Sequence, residues 1–183
     1  MEVKKKYFVE IKGTRPLMMH SPSGVGSKAP KQSDYDPEEE AEKCLYKNSA
    51  GRICVPGFAI LSAIRAAASN EQKAGAGKKT LKSFVFSGLG IEEEFIVLPI
   101  QTYTIDTRPV VIGRARILRS RPVFNEWSLK FTILVYDAPT WTAGTLRKIL
   151  ENAGDYQGLL DFRPLFGTFE VVSMKDESGR EVK

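Results

Sequence analysis

The stretch at residues 52–69, Arg-Ile-Cys-Val-Pro-Gly-Phe-Ala-Ile-Leu-Ser-Ala-Ile-Arg-Ala-Ala-Ala-Ser, constrains the fold more than any other part of this chain. Its β-type start is ended by Pro56 and Gly57, because proline cannot continue a strand ladder and glycine tolerates a turn. A helix follows, in which apolar residues recur at three- and four-residue spacing. We therefore predict a strand, a tight turn and a helix whose apolar stripe, with Phe58, Leu61 and Ile64, packs against a sheet.

Further elements are predicted by periodicity on either side of this helix. Residues 7–12 and 127–137 alternate apolar and polar residues, which is typical of half-buried strands. Residues 84–89, 95–105 and 168–172 are also predicted strands. A second long helix is expected to begin at Thr142 or Thr145 and to end at Gly154. A short helix is expected after Asp36, the predicted N-cap, with Pro37 in its first turn and Glu39 at the capping-box position.

The order of these elements is strand, helix, strand, strand, helix, strand. That βαββαβ order predicts an α+β protein of the ferredoxin-like or RRM type, an antiparallel sheet with two helices on one face. We expect one domain over residues 1–183, with insertions at about 20–50, 70–82 and 106–125 and a charged tail at 175–183. Two polar loops, 21–33 and 71–82, are predicted to be mobile until a partner binds, and the second carries Lys78 and Lys79.

A basic segment separates the two halves of the predicted sheet. It alternates arginine with apolar residues, which indicates a projecting β-hairpin; its arginines are Arg108, Arg114, Arg116, Arg119 and Arg121. Guanidinium groups on such a hairpin can pair with phosphates, or they can form a solvated face with no ligand. Four aromatic residues could stack on bases, although each could instead belong to the core: Tyr103, Phe124, Trp127 and Phe162.

The overall charge favours an anionic partner. The chain has 27 Lys and Arg against 22 Asp and Glu, a net charge of +5. No apolar run reaches the roughly 20 residues that cross a bilayer, and the basic N-terminus lacks the apolar region of a signal peptide. Cys44 and Cys54 have no metal-ligand spacing. These features predict a cytoplasmic protein that binds no membrane, no metal and no other cofactor.

Two motifs resemble those of the RAMP superfamily of CRISPR-associated proteins, in particular the Cas7-like backbone subunits, or a viral relative of them. Residues 55–65 are similar to the family's Pro-Gly-Ser-Ser-hydrophobic-Lys-Gly-hydrophobic-hydrophobic-Arg helix start, keeping Pro56, Gly57 and Arg65 but not the serines or the Lys-Gly pair. Residues 158–167 are similar to the glycine-rich loop before the last strand, although Leu160 and Phe166 stand where the family favours glycine. The basic segment occupies the place of the family's thumb hairpin.

The resemblance implies a non-catalytic subunit that polymerises along a guide RNA and grips its backbone without reading sequence. Its partners would be single-stranded RNA, copies of itself and other effector subunits. The residues then expected to bind nucleic acid are His20, Gly57, Arg65, Lys78, Lys79, Arg108, Arg114, Arg116, Arg119, Arg121 and Arg163. We further expect Arg163 and the backbone N–H groups near Gly57 to meet on one phosphate, with Asp161 holding Arg163; alternatively, Asp161 and Arg163 pin the loop to the protein's own backbone.

Two other functions are compatible with the sequence. One is cleavage of RNA, either with His20, the sole histidine, as a general base, or with a metal held by Asp34. The other is a phage or archaeal protein that coats single-stranded DNA on the same fold, because the charge pattern does not separate RNA from DNA.

Overall fold

A computed structural model of the chain describes residues 2–22, 35–112 and 115–182. The predicted loop at 21–33, Asp34 and Arg114 therefore fall almost entirely outside the described residues. The strands are β1 Lys5–Gly13, β2 Leu17–Met18, β3 Cys54–Pro56, β4 Leu89–Ile91, β5 Phe95–Val97, β6 Thr104–Ile112, β7 Ala115–Phe124, β8 Ser128–Val135 and β9 Phe169–Asp176. The helices are α1 Pro37–Lys43, α2 Gly57–Ala67, α3 Val85–Gly88 and α4 Ala143–Asn152.

The ferredoxin-like prediction is confirmed. Strands β4, β8, β1 and β9 form one antiparallel sheet in that order, and α2 and α4 connect β1 to β4 and β8 to β9. The side chains on one face of β1 and β8 are buried, as their alternation predicts, with Ile11, Leu129 and Ile133 at 0–1% exposure. Thr142 caps α4 by accepting a hydrogen bond from the backbone N–H of Thr145.

The basic segment is a β-hairpin, as predicted, and its base is built into the protein. Strands β6 and β7 pair along their length, and β7 also pairs with β2 to form a three-stranded sheet. Helix α1 lies against β7, where the Glu40 carboxylate accepts a hydrogen bond from the backbone N–H of Ser120. Asp36 caps α1 as predicted, accepting from the N–H groups of Glu38 and Glu39, whereas the Glu39 carboxylate pairs with Lys43. The hairpin therefore has a fixed base.

Two predicted strands are wrong in their boundaries because tertiary packing overrides local pattern. Residues 81–88 are helical rather than a strand, because Leu81 and Val85, one turn apart, are both buried. The predicted strand 95–105 is divided: β5 pairs with β3, and the Gln101 amide then holds the backbone of Ile53 and Leu98 before β6 begins.

The ends of α4 and β9 also differ from the prediction. Helix α4 does not end at Gly154 but continues as a π-turn to residue 157, and Gly158, at φ 71°, ends it. Gly154 is required for packing, because a Cβ there would lie 2.1 Å from the carbonyl oxygen of Phe169. The predicted charged tail folds back on itself, because an antiparallel backbone β-bridge joins Lys175 to Glu181.

The segment 71–82 is a closed turn rather than the flexible linker predicted from its composition. The backbone N–H of Lys73 donates to the Lys79 carbonyl, and Gln72 is bridged to Thr80. The Lys73 ammonium lies 3.9 Å from the centroid of the Phe84 ring. Backbone hydrogen bonds and this cation–π contact thus hold a segment that lacks a hydrophobic pattern.

Candidate nucleic-acid interface

The glycine-rich loop at 158–167 is fixed against the connection between β1 and β2. The Gly167 N–H donates to the carbonyl of Pro16 at 2.8 Å, and the Asp161 N–H donates to that of Met18 at 3.1 Å. Gly167 has φ 75°, and a Cβ there would lie 2.1 Å from the Leu159 carbonyl oxygen, so only glycine fits. This anchoring places residues 161–163 beside the base of the hairpin.

A half-buried ion pair joins the loop to the hairpin. The Arg121 Nε lies 3.1 Å from Asp161 Oδ2, and His20 Nδ1 lies 4.0 Å from the same oxygen. That oxygen is buried and has no hydrogen bond of good geometry, so its pairing with Arg121 is by charge. The expectation that Asp161 holds Arg163 is wrong, because Asp161 is bound to Arg121 instead.

The His20 ring is held neutral by its surroundings. Burial lowers the pKa of His20 below its ordinary value of 6.5, and the positive charges of Arg121 and Arg119 lower it further. The carboxylates of Asp161 and Glu40 act in the opposite direction but do not overcome these effects. A neutral imidazole can donate one hydrogen bond to an anion without introducing a second charge.

We expect the sole histidine to report this environment directly. Its imidazole should titrate below pH 6.5, measured by NMR of the ring protons. Because its pKa is lowered on folding, the folded state loses stability as the pH falls below the unfolded-state value. Arg121→Gln should move the pKa of His20 upward, since it removes a nearby positive charge; an unchanged pKa in that variant would contradict the electrostatic assignment.

Two aromatic rings of the loop cover the arginines of the hairpin. The guanidinium carbon of Arg108 lies 5.3 Å from the Phe162 ring centroid and 5.2 Å from that of Phe166, and Arg121 lies 5.8 Å from Phe162. The two rings pack edge to face at 6.2 Å. Of the four aromatic residues predicted to stack or pack, Phe162 is exposed, Tyr103 is half-buried, and Phe124 and Trp127 are core residues.

A cavity of about 230 Å³ opens beside this cluster. It is lined by His20, Tyr46, Ala59, Ser62, Leu160, Asp161 and Arg163. Arg163 is exposed, and within residues 2–22, 35–112 and 115–182 its guanidinium has no hydrogen bond, ion pair or ring contact. A guanidinium without an acidic partner, next to a neutral imidazole and a hydroxyl, is an arrangement that binds a phosphate.

The basic hairpin carries less free charge than the sequence indicates. Arg108 forms a two-pronged ion pair with Asp106, Arg119 pairs with Glu40, and Arg121 pairs with Asp161. Arg116 is exposed and has no partner within the part of the chain that the structure describes, and Arg114 lies outside that part. Three of the five predicted phosphate contacts are therefore already compensated by carboxylates.

The remaining predicted site residues lie apart from the cavity. The Gly57 N–H donates to the Glu94 carbonyl at 2.9 Å, and a Cβ at Gly57 would lie 2.3 Å from the Glu93 carbonyl oxygen. The Gly57 N–H itself is not available to a phosphate because it already donates to Glu94, whereas Ala59 and Ser62 of the same helix line the cavity together with Arg163. That Arg163 and N–H groups near Gly57 share one phosphate stays a prediction. Lys78 and Lys79 are exposed on the 71–82 turn.

The prediction that the whole apolar stripe of α2 packs against a sheet is partly wrong. Phe58 is 65% exposed, whereas Ile60, Ala63, Ile64 and Ala67 are buried. Arg65 lies over the ring of Phe86, with its guanidinium carbon 5.2 Å from the centroid.

Sequence reasoning missed the cavity residues that come from separate elements, namely Tyr46, Ala59 and Ser62. Ser62 occupies part of the motif at 55–65, and that motif was the one signal that could have drawn attention to it.

The described residues hold no cluster of His, Cys, Asp or Glu suited to a metal ion. None of the described helices is long and apolar enough to cross a membrane.

No protein-family model and no curated protein matches the chain. Among solved structures, a chain in a Type III-B Cmr-beta complex bound to cognate target RNA is similar, with a TM-score of 0.52 and 12% identity over 94% of this chain. The present chain spans about 60% of the length of that one. A chain of a CRISPR RNA-guided surveillance complex aligns over 92% of this chain and 68% of its own length, with a TM-score of 0.44 and 11% identity. The first similarity shows that this fold is shared with a chain of a Type III-B Cmr-beta complex bound to target RNA.

Proposed function

We propose that the protein binds single-stranded RNA without reading its sequence, as a non-catalytic subunit of a CRISPR-type ribonucleoprotein. The observation that carries this proposal is the cavity in which Arg163 has no acidic partner among the described residues. The shared fold supports it, because the similar chain belongs to a complex described as bound to target RNA. The net charge of +5 agrees with an anionic partner.

The cavity suits a phosphate better than a base. Arg163 offers a planar fork of donors, and His20 and Ser62 offer neutral donors beside it. The Asp161 carboxylate is not a competitor for Arg163, because it is occupied by Arg121. Contacts to phosphate carry no sequence information, so binding through this cavity is sequence-independent.

The projecting hairpin has a surface that can contact either a neighbouring copy of the protein or the bound RNA. Beyond its anchored base, Val111 is 69% exposed and Leu118 is 46% exposed, and Arg116 lies opposite Val111. Exposed apolar residues beside an unpaired arginine are typical of surfaces that are covered in an assembly. We therefore include repetition of the subunit along the RNA in the proposal.

Cleavage of RNA is the second candidate function, and the contact between His20 and Asp161 is the observation that favours it. The lowered pKa of His20 leaves an imidazole that can accept a proton near neutral pH. Incubating labelled RNA with the protein and with His20→Ala, with and without Mg²⁺, separates the candidates on a denaturing gel. Cleavage by the parent protein but not by His20→Ala would contradict the non-catalytic proposal and favour His20 as the general base. Cleavage that persists in His20→Ala and needs Mg²⁺ would instead favour a metal held by Asp34.

We expect RNA binding to weaken steeply with salt. Each phosphate neutralised on a single strand contributes a slope of about −0.7 to log K against log [salt], because bound counterions are released. Fluorescence anisotropy of a labelled single-stranded RNA, over a series of salt concentrations, measures this slope. DNA of the same sequence is the matched ligand, and equal affinity for it would favour the single-stranded DNA alternative. An affinity for RNA that does not change with salt would contradict the proposal.

A further inference from the structure

An exposed stack of side chains from α2 and α3 lies next to the cavity. The rings of Phe58 and Phe86 are nearly parallel, at 26°, with centroids 5.6 Å apart, and Arg65 lies 5.2 Å from the Phe86 centroid. Phe58 is 65% exposed and Phe86 is 47% exposed. Single exposed aromatic residues are common, but two open rings stacked on each other form an apolar patch, and such patches mark binding sites more often than isolated residues do.

Helix geometry gives the order of the three groups. Phe58 and Arg65 are seven residues apart on α2, so they lie on the same face and about 10.5 Å apart along the axis. The two distances to Phe86 match that gap, which places the Phe86 ring between Phe58 and the Arg65 guanidinium. We call this arrangement the Phe58 ladder. Its outer layer is the Phe58 ring, whose face away from Phe86 contacts no other ring among the described residues.

The Phe58 ladder is continuous with the candidate phosphate site. Ser62, which lines the cavity with Arg163, lies four residues after Phe58, and such residues are neighbours on a helix surface. A positive charge lies at each end of this surface, Arg65 at the ladder and Arg163 at the cavity. Neither arginine has an acidic partner within the described residues, so both can bind the phosphates of one nucleic-acid strand. Because Ala59 and Ser62 of α2 line the cavity, Phe58 lies on the same helix next to the place where a phosphate at Arg163 would be bound.

We propose that the open face of Phe58 stacks on a base of the single strand whose phosphate lies in the Arg163 cavity. This inference rests on the proposed function and adds a site for the base. Every nucleobase has a π-face, so one ring accepts any base and the binding stays independent of sequence. Phe86 and Arg65 support the ring from behind and hold it in a fixed position before the RNA arrives.

The test compares Phe58→Ala, Phe58→Trp and a control, Phe8→Ala, which removes a ring that is 49% exposed on β1. We expect Phe58→Ala to weaken binding of labelled oligoadenylate roughly tenfold, as loss of one stacked base does. Phe58→Trp and Phe8→Ala should bind like the parent protein. An RNA with a single 2-aminopurine should lose fluorescence when its reporter base reaches Phe58, and this quenching should disappear in Phe58→Ala.

Three results would overturn the inference and leave the proposed function intact. The first is RNA binding that Arg163→Ala weakens and Phe58→Ala does not. The second is self-association, measured by sedimentation without RNA, that Phe58→Ala abolishes while RNA affinity is unchanged, since the ladder would then contact a second copy. The third is an equal loss of RNA affinity in Phe8→Ala. Absence of any RNA binding by the parent protein would instead overturn the proposed function.

Discussion

Replacing Arg163 with alanine is expected to lower the affinity for single-stranded RNA by roughly 10- to 100-fold. This corresponds to the loss of one charge-assisted hydrogen-bonded contact, about 1.5–3 kcal/mol. The melting temperature should not change, because Arg163 is exposed and holds no other part of the described chain. The slope of log K against log [salt] should also become shallower by about 0.7. Anisotropy titrations and thermal unfolding measure the two effects separately.

Two further variants make the Arg163 test specific. Arg163→Lys keeps the charge but loses the planar fork, so it should recover the salt slope and only part of the affinity. Arg180→Ala removes a positive charge that is also exposed, but on another part of the surface, where Arg180 pairs with Asp176, and should have little effect on RNA binding. A lower melting temperature in Arg163→Ala with unchanged affinity would show that Arg163 instead pins the glycine-rich loop.

Replacing Asp161 with alanine is expected to destabilise the fold by about 2 kcal/mol, because it leaves a largely buried arginine without its counter-charge. The side chains of Arg121 and Asp161 are 14% and 29% exposed, so solvent compensates only in part. For a domain of this size the loss corresponds to a fall in melting temperature of roughly 4–8 °C. RNA affinity should fall as well, because Asp161 connects the loop that carries Arg163 to the hairpin.

The matched control for Asp161 is an ion pair on the surface. Glu42 pairs with Lys47 at 2.9 Å, but their side chains are 64% and 39% exposed. Glu42→Ala should therefore cost less than about 1 kcal/mol. The double variant Arg121→Leu, Asp161→Ala should be more stable than Asp161→Ala alone, since it removes the unpaired charge. If the double variant is the less stable of the two, the unpaired arginine is not the cause of the loss.

Carboxylates neutralise most of the hairpin arginines, so the basic segment is less positive than its sequence indicates. Five arginines in one stretch predict a strongly positive surface, yet three of them are paired with Asp106, Glu40 and Asp161. These pairs fix the base of the hairpin and its distance from the glycine-rich loop. Of the three, the Arg121–Asp161 pair joins the hairpin to the loop that carries Phe162 and Arg163, while the Arg163 guanidinium has no acidic partner among the described residues.

Local pattern was sufficient to predict the framework of the fold. The alternation in β1 and β8 follows from one buried and one open face, so burial of Ile11 and Leu129 could be predicted from spacing alone. The strand, Pro-Gly turn and α2 follow from backbone chemistry at Pro56 and Gly57, and the start of α4 follows from Thr142. Because each signal acts within a few residues, the βαββαβ order and the ferredoxin-like sheet could be predicted from the sequence.

The candidate site was decided by contacts between residues far apart in the chain. Periodicity assigned Phe58 to the core, but the direction in which α2 docks leaves it exposed and stacked on Phe86. The partner of Asp161 is Arg121, forty residues earlier, rather than Arg163, two residues later. A linear pattern records which residues alternate, but it does not record which charges meet, because that depends on how the hairpin, the loop and α2 pack together. The unpaired Arg163 and the open face of Phe58 are products of that packing.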